Sequence, residues 1–205
     1  MIRLYDFWQS SAAYRVRIAL GLADLEWESV HVDLTSREHK DDEHISRNPQ
    51  GLVPVLEIDG LRLTQSLAII EYLNETRNLG LLPEDLAGRA RVRALAYAIA
   101  MEIHAVCNLG VARHAVEQSN GAITLESWME RFIGPGLAAF EALREGGEYC
   151  DGDALTLADI CLVPQLYNAR RWGIDLEPMP VLRRIGEKLE AIPAFAAAHP
   201  DKTPH

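Results

Sequence analysis

Apolar and polar positions alternate over Ile2-Arg3-Leu4-Tyr5-Asp6-Phe7, which predicts a first strand, and then Val16, Leu20 and Ala23 recur at helical spacing, which predicts a first helix. Further alternation predicts a strand over Trp27 to Asp33 and two more over Val53 to Ile58 and Leu61 to Thr64. The last two flank Asp59-Gly60, a two-residue hairpin signal, and a helix over Leu67 to Thr76 follows. Between the second and third strands the chain is polar and reads as a short helix or loop. After Asn78-Leu79-Gly80-Leu81-Leu82-Pro83 the pattern changes to long helical runs: Asp85 to about Glu117, Thr124 to Leu143, Leu157 to Arg171 and Pro180 to Leu189. This divides the chain into an α/β layer over residues 1–79, a linker over 80–86 and an all-α domain over 87–205. The tail from His199 to His205 offers little to pack and is expected to fray.

Composition narrows the class of partner. With 205 residues, 48% of them hydrophobic, the chain can bury a core; 30 acidic against 20 basic residues give a net charge of -10. That balance argues against nucleic acid, whose phosphates need an electropositive surface. The first residues enter a strand with no apolar leader, and the apolar stretch Ala94 to Met101 is closed by Arg93 and Glu102, so neither export nor membrane insertion is expected. Cys107, Cys150 and Cys161 are scattered and form no Cys-x-x-Cys pair, which predicts buried thiols in a reducing, cytoplasmic setting. No His-Glu-x-x-His or comparable cluster is present, so no metal is expected.

The chemistry concentrates where helices begin. Ser10 and Ser11 stand at the start of the first helix, where unpaired N–H groups and the helix dipole favour an anion. Taken alone, the pair reads first as a helix cap, one serine merely closing the helix start. Ser66 opens the helix after the hairpin and is expected to be its N-cap. Thr156-Leu157-Ala158-Asp159 has capping-box spacing, which accounts for Asp159 without a catalytic role. Arg15 and Arg17 lie about 200° apart on an ideal helix and cannot face one site; Arg15 is the better placed above the first turn, and Arg17 and Arg170 read as surface ion pairs.

Ser-Ser-x-x-aromatic-Arg-Val-Arg-Ile-Ala-Leu, as it stands at residues 10–20, resembles the signature of zeta-class glutathione transferases, the class of the maleylacetoacetate isomerases. The likeness continues in order through Asn48-Pro49-Gln50-Gly51-Leu52-Val53-Pro54, Gln65 to Leu73, Leu81-Leu82-Pro83 and Leu155 to Gln165. Where the class usually has cysteine after the serine pair, this chain has Ala12. The resemblance implies a thioredoxin-like N-terminal domain followed by an all-α domain, with glutathione as a recycled cofactor. It also implies pairing of two chains into a homodimer and a place in aromatic amino acid breakdown.

By the same resemblance, Ser10 is the main catalytic residue and Ser11 its partner. Val53-Pro54 is a cis bond at a strand entry, exposing the N–H and C=O of Val53 to the cysteinyl part of the tripeptide. Gln65 and Ser66 hold the γ-glutamyl end, and His39 and His104 contact glutathione. Asn108 follows His104 at the i, i+4 spacing that puts both on one helix face. Arg171 matches an arginine that holds a substrate carboxylate, and Arg15 is a second candidate cation for the substrate or its enolate.

A free thiol has a pKa of about 8.5 and needs help to ionise at neutral pH. A serine hydrogen bond to a charged sulfur, roughly 1.5 to 3 kcal/mol, together with a helix terminus, lowers that by about one to two units. The implied reaction is addition of the thiolate to the cis double bond of maleylacetoacetate, rotation, and expulsion to leave fumarylacetoacetate. Maleylpyruvate ranks below it, because Leu109-Gly110 places no charge where some relatives acting on maleylpyruvate carry arginine. Conjugation or dehalogenation of other small electrophiles is a second enzymatic reading, and a non-catalytic glutathione-binding protein is a third.

Overall fold

Strand β1 (Arg3–Asp6) and strand β2 (Glu28–His31) pair in parallel, with Arg3 opposite Glu28 and Asp6 opposite His31. The computed structural model in which these pairs are seen describes residues 1–203. Strand β3 (Val55–Ile58) runs antiparallel to β1, and β4 (Leu61–Thr64) antiparallel to β3, giving the order β2-β1-β3-β4. The hairpin between β3 and β4 closes through Asp59 at φ 53° and Gly60 at φ 78°, the pair of positive angles that matches the twist of two-residue hairpins. Helix α1 (Ser11–Leu22) joins β1 to β2, and α3 (Ser66–Arg77) follows β4 and packs against α1. Between β2 and β3 the polar stretch forms a single 3-10 turn over Glu38–Lys40 and a short helix α2 (Asp42–Arg47).

Side-chain alternation gives the sheet two apolar faces. Leu4, Leu56 and Ile58 lie on one and are buried with Val16, Ile18, Leu20, Ile69, Ile70 and Leu73 from the two helices. Tyr5, Val32 and Val55 form a smaller cluster on the other, with Val30 and Val53 packed against it.

The chain divides into two compact units, Met1–Leu79 together with the residues from Ala191 onward, and Gly80–Glu190. The expected domain 87–205 therefore gives up its last residues to the N-terminal unit. Helix α9 (Pro193–Ala197) and a 3-10 turn over Pro200–Lys202 carry the reason: Phe195 and Ala198 are buried, and Arg17 Nε donates to the Ala198 carbonyl at 3.1 Å. His199 to Thr203 are thus structured rather than frayed, with Pro200 and Thr203 buried; Pro204 and His205 lie outside the described residues.

In the second unit the run expected from Asp85 to Glu117 is broken. Helix α4 (Leu86–Tyr97) passes into a π-helical segment over Ala98–Ile103, the chain turns through His104–Cys107, and α5 (Leu109–Gln118) begins afresh. Helices α6 (Leu125–Leu143), α7 (Leu157–Arg171) and α8 (Pro180–Glu190) follow. Every residue of α7 from Leu157 to Leu166 is buried, which makes it the central helix of its unit. Its start is held as the capping-box spacing predicted: Asp159 Oδ2 accepts from the Thr156 N–H and hydroxyl, each at 2.8 Å, while Oδ1 accepts from the Cys150 N–H at 2.9 Å. Cys107, Cys150 and Cys161 are buried and form no disulfide among the described residues, and burial pushes the Cys107 thiol up to about 11. No helix among the described residues is long and apolar enough to cross a membrane.

Candidate active site

Ser10 is the N-cap of α1. Its backbone is extended, at φ -67° and ψ 115°, and its Oγ accepts from the Ala13 N–H at 3.2 Å. The hydroxyl meets the helix as an acceptor, so its proton remains available for a further acceptor. Its own N–H bonds the Phe7 carbonyl at 2.8 Å and its carbonyl takes the Tyr14 N–H at 2.8 Å, which fixes the turn from β1 into α1. Ser10 is partly exposed, whereas Ser11, the first helical residue, is buried.

The second helix start differs from expectation. Gln65 occupies the N-cap of α3, and Ser66 is the first residue inside the helix. Gln65 holds φ 66° and ψ 110°, a region that side-chain-bearing residues rarely adopt, and its Nε2 donates to Gln50 Oε1 at 2.8 Å. Such an outlier costs of order 1–3 kcal/mol and marks a position over-determined by its surroundings. Ser66, buried, accepts from Arg15 Nη1 at 3.5 Å instead of capping. Arg15 is itself 1% exposed, so it lies beneath the α3 start rather than on an open surface.

Val53-Pro54 is cis, as the resemblance implied. The antiparallel register ends at Tyr5 opposite Val55, so Val53 lies beyond the last pair of the ladder. Side chains that sequence reasoning passed over hold the approach to it. Asn48 Nδ2 donates to the Leu52 carbonyl at 2.9 Å and His44 Nε2 is 3.0 Å from the same oxygen. Lys40 Nζ donates to the Gln50 and Gly51 carbonyls, at 3.3 and 3.1 Å. The signal for them was the turn-forming run Asn48-Pro49-Gln50-Gly51, which needs fixing from outside. Gly51, at φ 59°, lies so near the 3-10 turn that a Cβ would stand 2.8 Å from the His39 carbonyl. His39 Nδ1 is shielded from solvent with no hydrogen-bond partner, and burial, followed by the charge of Lys40, holds this imidazole below the usual histidine range.

Ser10, Ser11, Arg15, His39, Val53, Pro54, Gln65 and Ser66 thus belong to one unit, and His104, Asn108 and Arg171 to the other. The break before α5 overturns the expected shared face of His104 and Asn108. Asn108 stands outside the helix at φ -58° and ψ 131°, and its Oδ1 caps α5 by accepting from the Gly110 N–H at 2.9 Å. Arg171 is exposed, with its guanidinium 5.8 Å from the centre of the Trp172 ring. Arg170 pairs with Glu190 at the surface as expected. Arg17 does not: it is 2% exposed, and its Nη1 lies 2.6 Å from Oδ2 of the equally buried Asp6. The ion pair expected at the surface is instead buried, because its partner sits at the end of β1. No group of three or more His, Cys, Asp or Glu side chains among the described residues could hold a metal ion.

A four-stranded thioredoxin-like unit with a cis proline entering β3, followed in the chain by an all-helical unit, defines a glutathione transferase fold. Comparison with known proteins agrees. Residues 1–75 match the glutathione S-transferase N-terminal domain. The chain is 57% identical over 204 residues to maleylacetoacetate isomerase of Rhizobium meliloti, covering 97% of this chain and 96% of that one. The isomerase of Anaeromyxobacter dehalogenans 2CP-1, solved with glutathione in its active site, is 47% identical with a TM-score of 0.88, covering 100% and 97%. A bacterial zeta-class maleylpyruvate isomerase superposes with a TM-score of 0.93 at 39% identity, covering 98% of each chain. The chain belongs to the maleylacetoacetate isomerase family of zeta-class glutathione transferases.

Proposed function

We propose that the protein is a glutathione-dependent isomerase that converts maleylacetoacetate to fumarylacetoacetate in aromatic amino acid breakdown. The observation that carries the reading is full-length identity of 57% to a maleylacetoacetate isomerase, in a chain that keeps a serine cap on α1, a cis Val53-Pro54 and a constrained Gln65-Ser66. These residues fit glutathione. The α3 start and the Ser66 hydroxyl suit the γ-glutamyl carboxylate. Val53 suits strand-like pairing with the cysteinyl portion, and the unbonded His39 Nδ1 suits a polar group of the tripeptide.

When bound, glutathione supplies a sulfur nucleophile that adds reversibly to the cis double bond and leaves once the bond between the two carbons has turned. The chain's own work is to hold that sulfur ionised and to orient the substrate. Ser10 donates its hydroxyl proton toward the sulfur, with the α1 dipole behind it. Ser11, buried in the first turn, supports the Ser10 turn from within. Arg171, exposed at the end of α7, is a cation for a substrate carboxylate. Arg15 acts instead at the γ-glutamyl end, because its guanidinium reaches Ser66. His104 contacts glutathione, while Asn108 serves α5 as its cap. The working form is a cytoplasmic homodimer.

Maleylpyruvate is the alternative substrate, favoured by the TM-score of 0.93 to a maleylpyruvate isomerase. Turnover of maleylacetone and of maleylpyruvate, each with and without glutathione, tests the assignment. Glutathione-dependent isomerisation with the higher kcat/KM on maleylacetone is expected. Faster maleylpyruvate turnover would move the assignment to that acid, and retention on glutathione resin without turnover of either would leave a binding protein.

A further inference from the structure

Three residues at one-face spacing on α1, Tyr14, Arg17 and Gly21, each meet the C-terminal segment. Gly21 approaches Ala194 so closely that an added Cβ would stand 3.2 Å from the alanine methyl. One turn nearer the helix start, Arg17 Nε donates to the Ala198 carbonyl at 3.1 Å. Nearer still, the Tyr14 ring meets the His199 imidazole edge-on, with centroids 6.1 Å apart and an interplanar angle of 80°. Residues 194–199 therefore run back along α1 toward the end where Ser10 stands.

Arg17 also reaches in the opposite direction. Its Nη1 donates to Asp6 Oδ2 at 2.6 Å and its Nη2 to the Trp8 carbonyl at 3.0 Å. Asp6 ends β1, and Trp8 lies within the turn that Ser10 closes by donating to the Phe7 carbonyl. One guanidinium thus joins the strand end, the serine turn and the C-terminal segment, through nitrogens whose directions are fixed by a planar fork. Against an apolar pair of the same volume, a buried ion pair adds little net stability. What it adds here is direction, since three acceptors on three segments must all meet one rigid group.

We propose that Arg17 is the positioning residue of the Ser10 turn, aiming the serine hydroxyl while tying that turn to residues 194–199. This rests on the reading of Ser10 as the hydrogen-bond donor to the sulfur of glutathione. A donor must be held within roughly 0.5 Å of its productive position to deliver its full effect, and of Arg17's three partners the Trp8 carbonyl is the one nearest Ser10 in the chain, inside the turn that the serine's own backbone bonds close.

The test is ultraviolet titration of the bound thiol in glutathione complexes of the full-length protein, its Arg17→Lys and Asp6→Asn variants, and Ser10→Ala as reference. Lysine keeps a charge beside Asp6 but has no fork to span Trp8 and Ala198; asparagine keeps the shape of Asp6 but removes the charge that anchors the fork. Both variants are expected to bind glutathione and to raise the titration midpoint by about half to one unit, roughly a three- to tenfold loss of thiolate below it. The acid limb of the kcat/KM profile moves with it. Hydrogen exchange quickens together at Trp8 to Ser11 and at Ala198 to Thr203 in Arg17→Lys. If Ser10→Ala shifts the midpoint and both other variants titrate as the parent, Arg17 is a packing residue and the proposal fails. If Ser10→Ala itself titrates as the parent, the donor reading fails first and the proposal with it. Should Arg17→Lys not fold, Asp6→Asn alone decides by the same criterion.

Discussion

Replacing Ser10 with alanine and, separately, with glycine divides two roles that one hydroxyl performs. The Oγ caps α1 through Ala13 at 3.2 Å, and the extended backbone at φ -67° and ψ 115° accepts either replacement without strain. Losing the cap to alanine costs about 1 kcal/mol, whereas glycine costs only a few tenths. For a chain of this length, 1 kcal/mol corresponds to roughly 2–4 °C in Tm. The donor role is lost equally in both. A hydrogen bond to a charged sulfur is worth roughly 1.5–3 kcal/mol, so at about 1.36 kcal/mol per unit the bound thiol rises by about one to two units. Near neutral pH the isomerisation rate then falls by roughly tenfold or more in both variants and recovers as the pH is raised. Thermal melts, thiolate titration and the pH profile of kcat/KM on maleylacetone measure the two effects separately. A glycine variant that titrates like the parent while the alanine variant shifts would show that the cap, and not the proton, matters. The donor argument would then be wrong.

Two further outcomes follow from the same unit. Gly51→Ala places a Cβ 2.8 Å from the His39 carbonyl and 2.8 Å from Lys40 Nζ at φ 59°. It should cost about 2–4 kcal/mol from backbone strain and overpacking, and raise the KM for glutathione more than it lowers kcat, by denaturant unfolding and saturation kinetics; an unchanged unfolding midpoint would show that the approach is looser than described. Asp33 accepts from the Thr35 N–H at 2.7 Å and its hydroxyl at 2.6 Å, which hold its carboxyl down at about 2. Because the folded value lies below the unfolded one, the stabilisation of this turn is complete above the ordinary carboxylate range and lost as pH falls through about 2. The Thr35 amide NMR shift should titrate there; a midpoint near 4 would mean that the turn does not hold the carboxylate.

Local signals were legible where one residue type has one physical use. Asp59-Gly60 could only be a tight hairpin, and Thr156 with Asp159 could only close a box at the start of α7. Helix α1 was legible from its apolar spacing, and the cis Val53-Pro54 from resemblance rather than from spacing. The break at residues 98–108 was hidden because apolar positions continue across it. A π-helical turn shifts the phase of a helix without changing its composition. Ser66 was read as a cap because serine usually is one there. Gln65 took that place with a backbone angle that no sequence rule assigns to glutamine. Buried Arg15 and Arg17 were illegible because Ser66 and Ala198 are distant in sequence, and because Asp6 and Trp8, though near, meet Arg17 only across the turn from β1 into α1.

The placement of residues 191–203 has a consequence for biosynthesis. When the nascent chain has emerged only as far as Glu190, β1, α1, the hairpin and α3 are all available, yet residues 194–199, which Tyr14, Arg17 and Gly21 of α1 meet, have still to follow. The unit begun first is completed after the helical one, so a ribosome-bound intermediate can hold a finished helical unit while the serine-bearing helix still waits for residues 191–203.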